Sequence, residues 1–177
     1  MRTLWCGAFA LALAAGCSSE SDRTLLVAYV DTDLMVPAEL NRIEIRVAPE
    51  GGEGGAATTD SFPLGSAVDV PATLSIRPGG DPALGVDVTA IGYLGADSFV
   101  SQTATVAFTP GEARAFTLVL ARDCATPMPC PDAASVCVQG GLCVAKTEVA
   151  ETRPYTPNAE GRDTTAAGAL ASPDDQT

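Results

Sequence analysis

Between residues 24 and 122, apolar side chains recur at every second position, punctuated by Gly and Pro, and no stretch sustains a 3.6-residue period. Successive side chains of an extended chain point to opposite faces, so this pattern specifies half-buried strands and excludes amphipathic helices. The clearest case runs from Arg42 to Val47, where Ile43, Ile45 and Val47 face one way and Arg42, Glu44 and Arg46 the other. An antiparallel strand with one wet face reads this way. A second strand, from Ala113 to Ala121, puts Phe116, Leu118 and Leu120 on one face. In a third, Val100, Gln102, Ala104, Val106 and Phe108 share a face opposite Ser101, Thr103 and Thr105. A fourth begins at Val86-Asp87-Val88-Thr89-Ala90. Residues 24–30 form a more continuous apolar run, as expected of a strand covered on both sides, while 58–64 and 73–76 alternate more weakly.

Turn signals separate these segments at Pro37, residues 49–55, Pro78-Gly79-Gly80-Asp81-Pro82, Gly95-Ala96-Asp97 and Pro110-Gly111. Seven short strands at this spacing predict an all-β domain over residues 24–122, an immunoglobulin-like or related antiparallel β-sandwich. Residues 33–41 have room for one helical turn. No Cys-Trp-Cys signature is present, so the strand order stays open.

Composition removes whole classes of function. With no histidine, the chain cannot assemble a Ser-His-Asp or Cys-His nucleophile or a His-ligated metal centre, and it lacks the usual proton shuttle near neutral pH. A formal charge of -12, with Lys146 as the only lysine, repels nucleic acid and anionic headgroups.

The amino terminus reads as an address. Met1-Arg2-Thr3 is a short basic start, an apolar run follows from Leu4 to Ala15, and Ala14-Ala15-Gly16-Cys17 closes it. As a helix that run spans about 18 Å, too short for a ~30 Å hydrocarbon core, so residues 1–16 are expected to be a signal peptide and not a permanent span. The pattern resembles a bacterial lipoprotein signal, with Ala14 where Leu is preferred. The resemblance implies lipidation of the Cys17 thiol, cleavage after Gly16 and acylation of the new amine. The competing reading is ordinary secretion through the Ala12-Leu13-Ala14 site. Loss of residues 1–16 would remove Arg2 but no acid, and also the only tryptophan, Trp5. Residues 17–23 then form a lipidated polar tether reaching at most about 24 Å.

The last strand is followed by Cys124-x5-Cys130-x6-Cys137-x5-Cys143, the core of a four-cysteine module over residues 123–145. In an exported chain four cysteines read as two disulfides; three pairings are open, and the interleaved one, Cys124 with Cys137 and Cys130 with Cys143, is preferred. A four-thiolate zinc site is the alternative, but it favours C-x2-C knuckles. No C-x-x-C pair and no basic residue inside the module support a redox catalyst. Residues 146–177, rich in Thr, Ala, Gly and Pro, are expected to be a disordered tail, in which Tyr155 is either free or a contact residue.

With the signal, the β domain and the Cys137-Val-Gln-Gly-Gly-Leu-Cys143-Val phrase in view, the chain resembles envelope lipoproteins numerous in myxobacteria. These share a phrase like Val30-Asp31-Thr32-Asp33-Leu34 and Val36-Pro37 and end in a small Cys-rich knot. The resemblance implies an address in the cell envelope and no particular activity. Ser18 after the cysteine points, by analogy with lipoprotein sorting, to the outer membrane.

One constellation suggests a metal: Asp31 and Asp33 would serve as calcium ligands if a loop with Asp81 or Asp97 supplied more oxygens. The simpler reading makes both carboxylates turn caps. A glycosidase would need two carboxylates across a cleft, and sugar stacking lacks tryptophan, with Tyr29, Tyr93, Phe62, Phe99, Phe108 and Phe116 mostly at core positions. The expectation is a non-enzymatic, membrane-tethered module with no cofactor, binding an envelope protein or polysaccharide; the alternative is a calcium-dependent adhesion or ligand-binding module.

Overall fold

A computed structural model describes residues 24–51, 57–65, 70–79, 85–125 and 130–157. The seven expected strands are present: β1 (Leu25–Thr32), β2 (Arg42–Pro49), β3 (Thr58–Pro63), β4 (Ala72–Ile76), β5 (Gly85–Leu94), β6 (Asp97–Ala107) and β7 (Ala113–Leu120). Three short strands follow, β8 (Ser135–Val138), β9 (Leu142–Ala145) and β10 (Arg153–Pro154). Sheet order is β10-β7-β1-β4 in one layer and β3-β2-β5-β6 in the other, with β8-β9 as a separate hairpin.

Alternation decides which side chains enter the interior. Leu26, Ala28 and Val30 of β1, Ile43 and Ile45 of β2, Val88 and Ala90 of β5, and Phe116, Leu118 and Leu120 of β7 are all fully buried in one cluster. Val100, Ala104, Val106 and Phe108 join it from the β6 side, as their common parity requires. The sheets pack across this cluster, burying a mostly aliphatic interior. One glycine has a steric reason to be there. A Cβ on Gly92, at an irregularity in the β5–β6 ladder, would lie 2.6 Å from Val100 Cγ1 and 2.7 Å from Leu40 Cδ1.

The strand order differs from the immunoglobulin partition, which would place strands 1, 2, 5 and 4 together. Here β1 pairs with β4 and β7, while β2 pairs with β3 and β5. The structure is therefore a related sandwich, antiparallel except for the parallel β1–β7 pair. Standing between β7 and β4, β1 is covered on both faces: Val27 and Tyr29 point away from the interior into a second cluster with Ala115, Leu25 and Tyr155.

That second cluster corrects the expectation of a disordered tail from residue 146. Arg153 and Pro154 pair with Ala115 and Arg114, and Arg114 Nη2 donates to the Thr152 carbonyl at 2.8 Å. Tyr155 is a contact residue, packed against the cluster of Val27, Tyr29 and Ala115, and its N–H donates to the Ala113 carbonyl at 2.9 Å. Residues 158–177 lie outside the described residues.

The cysteine module closes one side of the sandwich. Thr105 N–H of β6 donates to the Lys146 carbonyl at 3.1 Å, so the segment after β9 covers the edge of one sheet while β10 covers the edge of the other. Gln102, buried on the apolar face of β6, accepts the Val119 N–H of β7 and ties the two layers together.

Candidate functional site

Cys17 and the expected signal peptide, residues 1–16, lie outside the described residues, as does Asp81; the described residues begin at Thr24. Because β1 runs parallel to β7 and β10 antiparallel to it, Thr24 and Tyr155 lie at the same end of the sandwich. Thr24 Oγ1 accepts the Gly111 N–H at 2.9 Å there, and Gly111 holds a φ of 75°, a left-handed turn conformation that favours glycine. Thr24, the first described residue, therefore lies beside the β6–β7 turn.

The opposite end carries the 33–41 loop, the 94–97 turn and a 3-10 turn, Arg122–Cys124. In the first of these, one turn of backbone closes as Glu39 N–H donates to the Met35 carbonyl at 2.7 Å. Asn41 fastens the loop to its neighbour: its N–H donates to the Tyr93 carbonyl at 3.0 Å, and its Oδ1 accepts the Gly95 N–H at 3.1 Å. Met35 and Leu94 project from this end as exposed large apolar side chains; the third among the described residues is Leu142, at the start of β9.

Asp31 and Asp33 act here as caps. Asp31 Oδ1 accepts the Thr32 N–H at 2.8 Å, and Asp33 Oδ1 accepts the Arg122 N–H at 2.7 Å. Thr32 Oγ1 donates to the Leu120 carbonyl at 2.7 Å and accepts the Leu34 N–H at 3.0 Å, so the Asp-Thr-Asp phrase anchors the loop to the end of β7. Among the described residues no three Asp, Glu, Cys or His side chains converge as a ligand set.

An ion pair that local sequence does not announce completes the corner. Arg122 Nη1 and Nη2 each donate to a Glu39 carboxylate oxygen at 2.5 Å. This guanidinium, helped by the Met35 N–H, pulls the Glu39 carboxyl from the ordinary 4.5 down to about 2.

The outer face of the β3-β2-β5-β6 sheet is polar and satisfies itself. Arg42 stacks 3.9 Å above the Tyr93 ring, Glu44 pairs with Arg46 at 2.7 Å, and Thr105 Oγ1 donates to Asp87 at 2.6 Å. Tyr93 thus lies on the polar outer face of this sheet, and Arg42 already covers one side of it. Phe108, Phe116 and Tyr29 are buried, and Phe62 and Phe99 pack against the interior.

The module contains the preferred interleaved disulfides, Cys124–Cys137 and Cys130–Cys143, with Cα atoms 5.6 and 5.8 Å apart. Cys124 and Cys137 are buried against the sandwich, whereas Cys143 is exposed and Cys130 half-buried.

Among the described residues no helix is long and apolar enough to cross a membrane. Comparison of the chain with protein-family models, curated proteins and solved structures finds no match.

Proposed function

We propose that this chain is a lipid-anchored protein of a bacterial cell envelope, tethered through Cys17 and acting as a non-enzymatic binding module, with the outer membrane as its address. What carries this reading is the juxtaposition of two features. The apolar run ending in Ala14-Ala15-Gly16-Cys17 would put acyl chains on a short polar tether, and that tether enters the fold at the end opposite the 33–41 loop and the 94–97 turn. A single acyl chain holds a protein only marginally, whereas the two or three of a mature lipoprotein, at ~0.8 kcal/mol per buried CH₂, hold it permanently. The remote end, with exposed Met35 and Leu94, would then face away from the bilayer as a contact surface for an envelope protein or polysaccharide. The absence of histidine and the pairing of Glu44 and Asp87 within their own sheet favour binding over catalysis. The capping bonds of Asp31 and Asp33 favour this reading over a calcium-dependent module.

Intact-mass spectrometry of the full chain expressed in a lipoprotein-processing bacterium tests the anchor. The expected product begins at residue 17, carries a diacylglycerol and an acyl group, and enters the detergent phase on Triton X-114 partition; Cys17→Ser remains in the aqueous phase. A chain cut after Ala14 with a bare Cys17 thiol would overturn the reading.

A further inference from the structure

The two bridges of the module differ in access, and the hairpin register sets one cysteine of each opposite the other. In β8 and β9, Cys137 stands directly opposite Cys143, yet the two are not bonded to each other; Cys137 reaches back to Cys124 of the 3-10 turn and Cys143 to Cys130 ahead of β8. Directly opposed residues share a face, with Cβ atoms about 4.5–5.5 Å apart. The two disulfides therefore lie side by side, one with both residues only 9% exposed and the other ending on exposed Cys143.

We propose that Cys130–Cys143 is a thiol-exchange site for a dithiol, and that Cys143 passes the exchange inward to Cys137. A thiolate of the dithiol attacks Cys143 Sγ, the accessible sulfur, and Cys130 leaves as a thiolate that takes a proton from water. The second thiol of the dithiol, once deprotonated, attacks its own mixed sulfur, closing the reductant's disulfide and expelling Cys143 as a thiolate. Two electrons have then entered the protein. The Cys143 thiolate next attacks Cys137 Sγ: the Cys137–Cys143 bond forms, the Cys124–Cys137 bond breaks, and Cys124 leaves and is protonated. This last step moves no net electrons. The product holds one cross-strand bridge, with free thiols at Cys124 and Cys130, and the staple has moved from the corner beside β7 onto the hairpin itself.

Access determines the order. Burial shields Cys124–Cys137 from an external thiolate, while an internal one held at the neighbouring register position acts at high effective concentration. The module contains no C-x-x-C pair and no basic side chain to lower a thiol pKa, so the exchange differs from that of an oxidoreductase. Its rate should rise as pH approaches about 8.5, where an ordinary thiol ionises.

The test treats the full chain under native conditions with limiting dithiothreitol, quenches with acid, labels thiols with N-ethylmaleimide and maps labels and remaining bridges by peptide mass spectrometry. The expected early product carries labels on Cys130 and Cys143, followed by one labelled on Cys124 and Cys130 with a Cys137–Cys143 bridge. Simultaneous labelling of all four cysteines, persistence of the first product without transfer, or no labelling at all would each overturn the proposal. In the Cys130→Ser/Cys143→Ser variant the inner bridge has lost its internal nucleophile and should open at least about tenfold more slowly than in the natural chain. Equal rates would refute the transfer, and should that variant not fold, the map of the natural chain decides alone.

Discussion

In the sandwich, residues from β1, β2, β5, β6 and β7 meet in an interior closed to solvent, with Leu26, Ile43, Val88, Phe116 and Leu118 fully buried. In residues 122–157 the buried apolar side chains among the described residues are Cys124 and Cys137 alone. The first region thus has an apolar interior sufficient to order seven strands, whereas the second is small, borrows part of the sandwich's surface and depends on covalent closure. Two bridges, each joining cysteines 13 residues apart, contribute about 3 kcal/mol apiece in the chain-entropy model, which offsets a missing core. The dependence runs both ways, since the sandwich would expose the edges of β6 and β7 without the segment that ends at Tyr155.

The sharpest way to break this contrast is Phe116→Ala. The ring is fully buried, so its loss should lower unfolding free energy by about 3–5 kcal/mol in urea denaturation, with both bridges retained. A loss below about 1 kcal/mol would mean that the interior is not what holds the sandwich. Gln102→Leu acts at the seam between the layers. It leaves the Val119 N–H without its side-chain acceptor and should cost about 1–3 kcal/mol. Amide exchange offers the finer reading: Val119 should lose protection while Ile45 and Ala90 keep theirs, and unchanged protection at Val119 would remove Gln102 from the seam.

The contrast also explains what the sequence makes legible. Strands β2, β6 and β7 are visible because a period of two is a local property, and the side chains of Ile43, Ile45, Phe116 and Leu118 lie where their parity puts them. Pairing is not local. Parallel β1–β7 contact joins Leu25 to Ala113, and nothing in either segment names the other. The stretch from Arg153 to Tyr155 has no alternation of its own; its order comes from pairing with Arg114 and Ala115 and from packing of Tyr155 on Val27, Tyr29 and Ala115, properties of the surface on which it lands. Capping by Asp31 is readable from turn chemistry, but the partner of Asp33 lies 89 residues away and that of Glu39 lies 83 away, too far for any local pattern. Gln102 did carry a signal, as a polar residue in the apolar register of β6. The cysteine spacing leaves three pairings open, and the fold selects one by setting Cys124 at the end of β7 beside β8.

The smallest expected effect lies at the junction of the two regions, where Arg122, in the 3-10 turn just ahead of the cysteine module, grips Glu39 of the sandwich's loop. The Glu39 pKa in the folded chain, about 2, is below its ordinary 4.5, so the unfolded state binds a proton first as pH falls. Its stabilisation is therefore complete above pH 4.5 and is lost progressively as pH falls through about 2. Because the pair is solvent-accessible, salt should weaken it, and it should anchor the 33–41 loop without controlling global stability. A carbon-detected NMR titration of the Glu39 carboxyl should find it ionised well below the ordinary 4.5, and Arg122→Met should return it to the ordinary range. If Glu39 already titrates near 4.5 in the natural chain, the ion pair is not held in solution, and the Asp33 contact with the Arg122 N–H remains to hold the loop to the 3-10 turn.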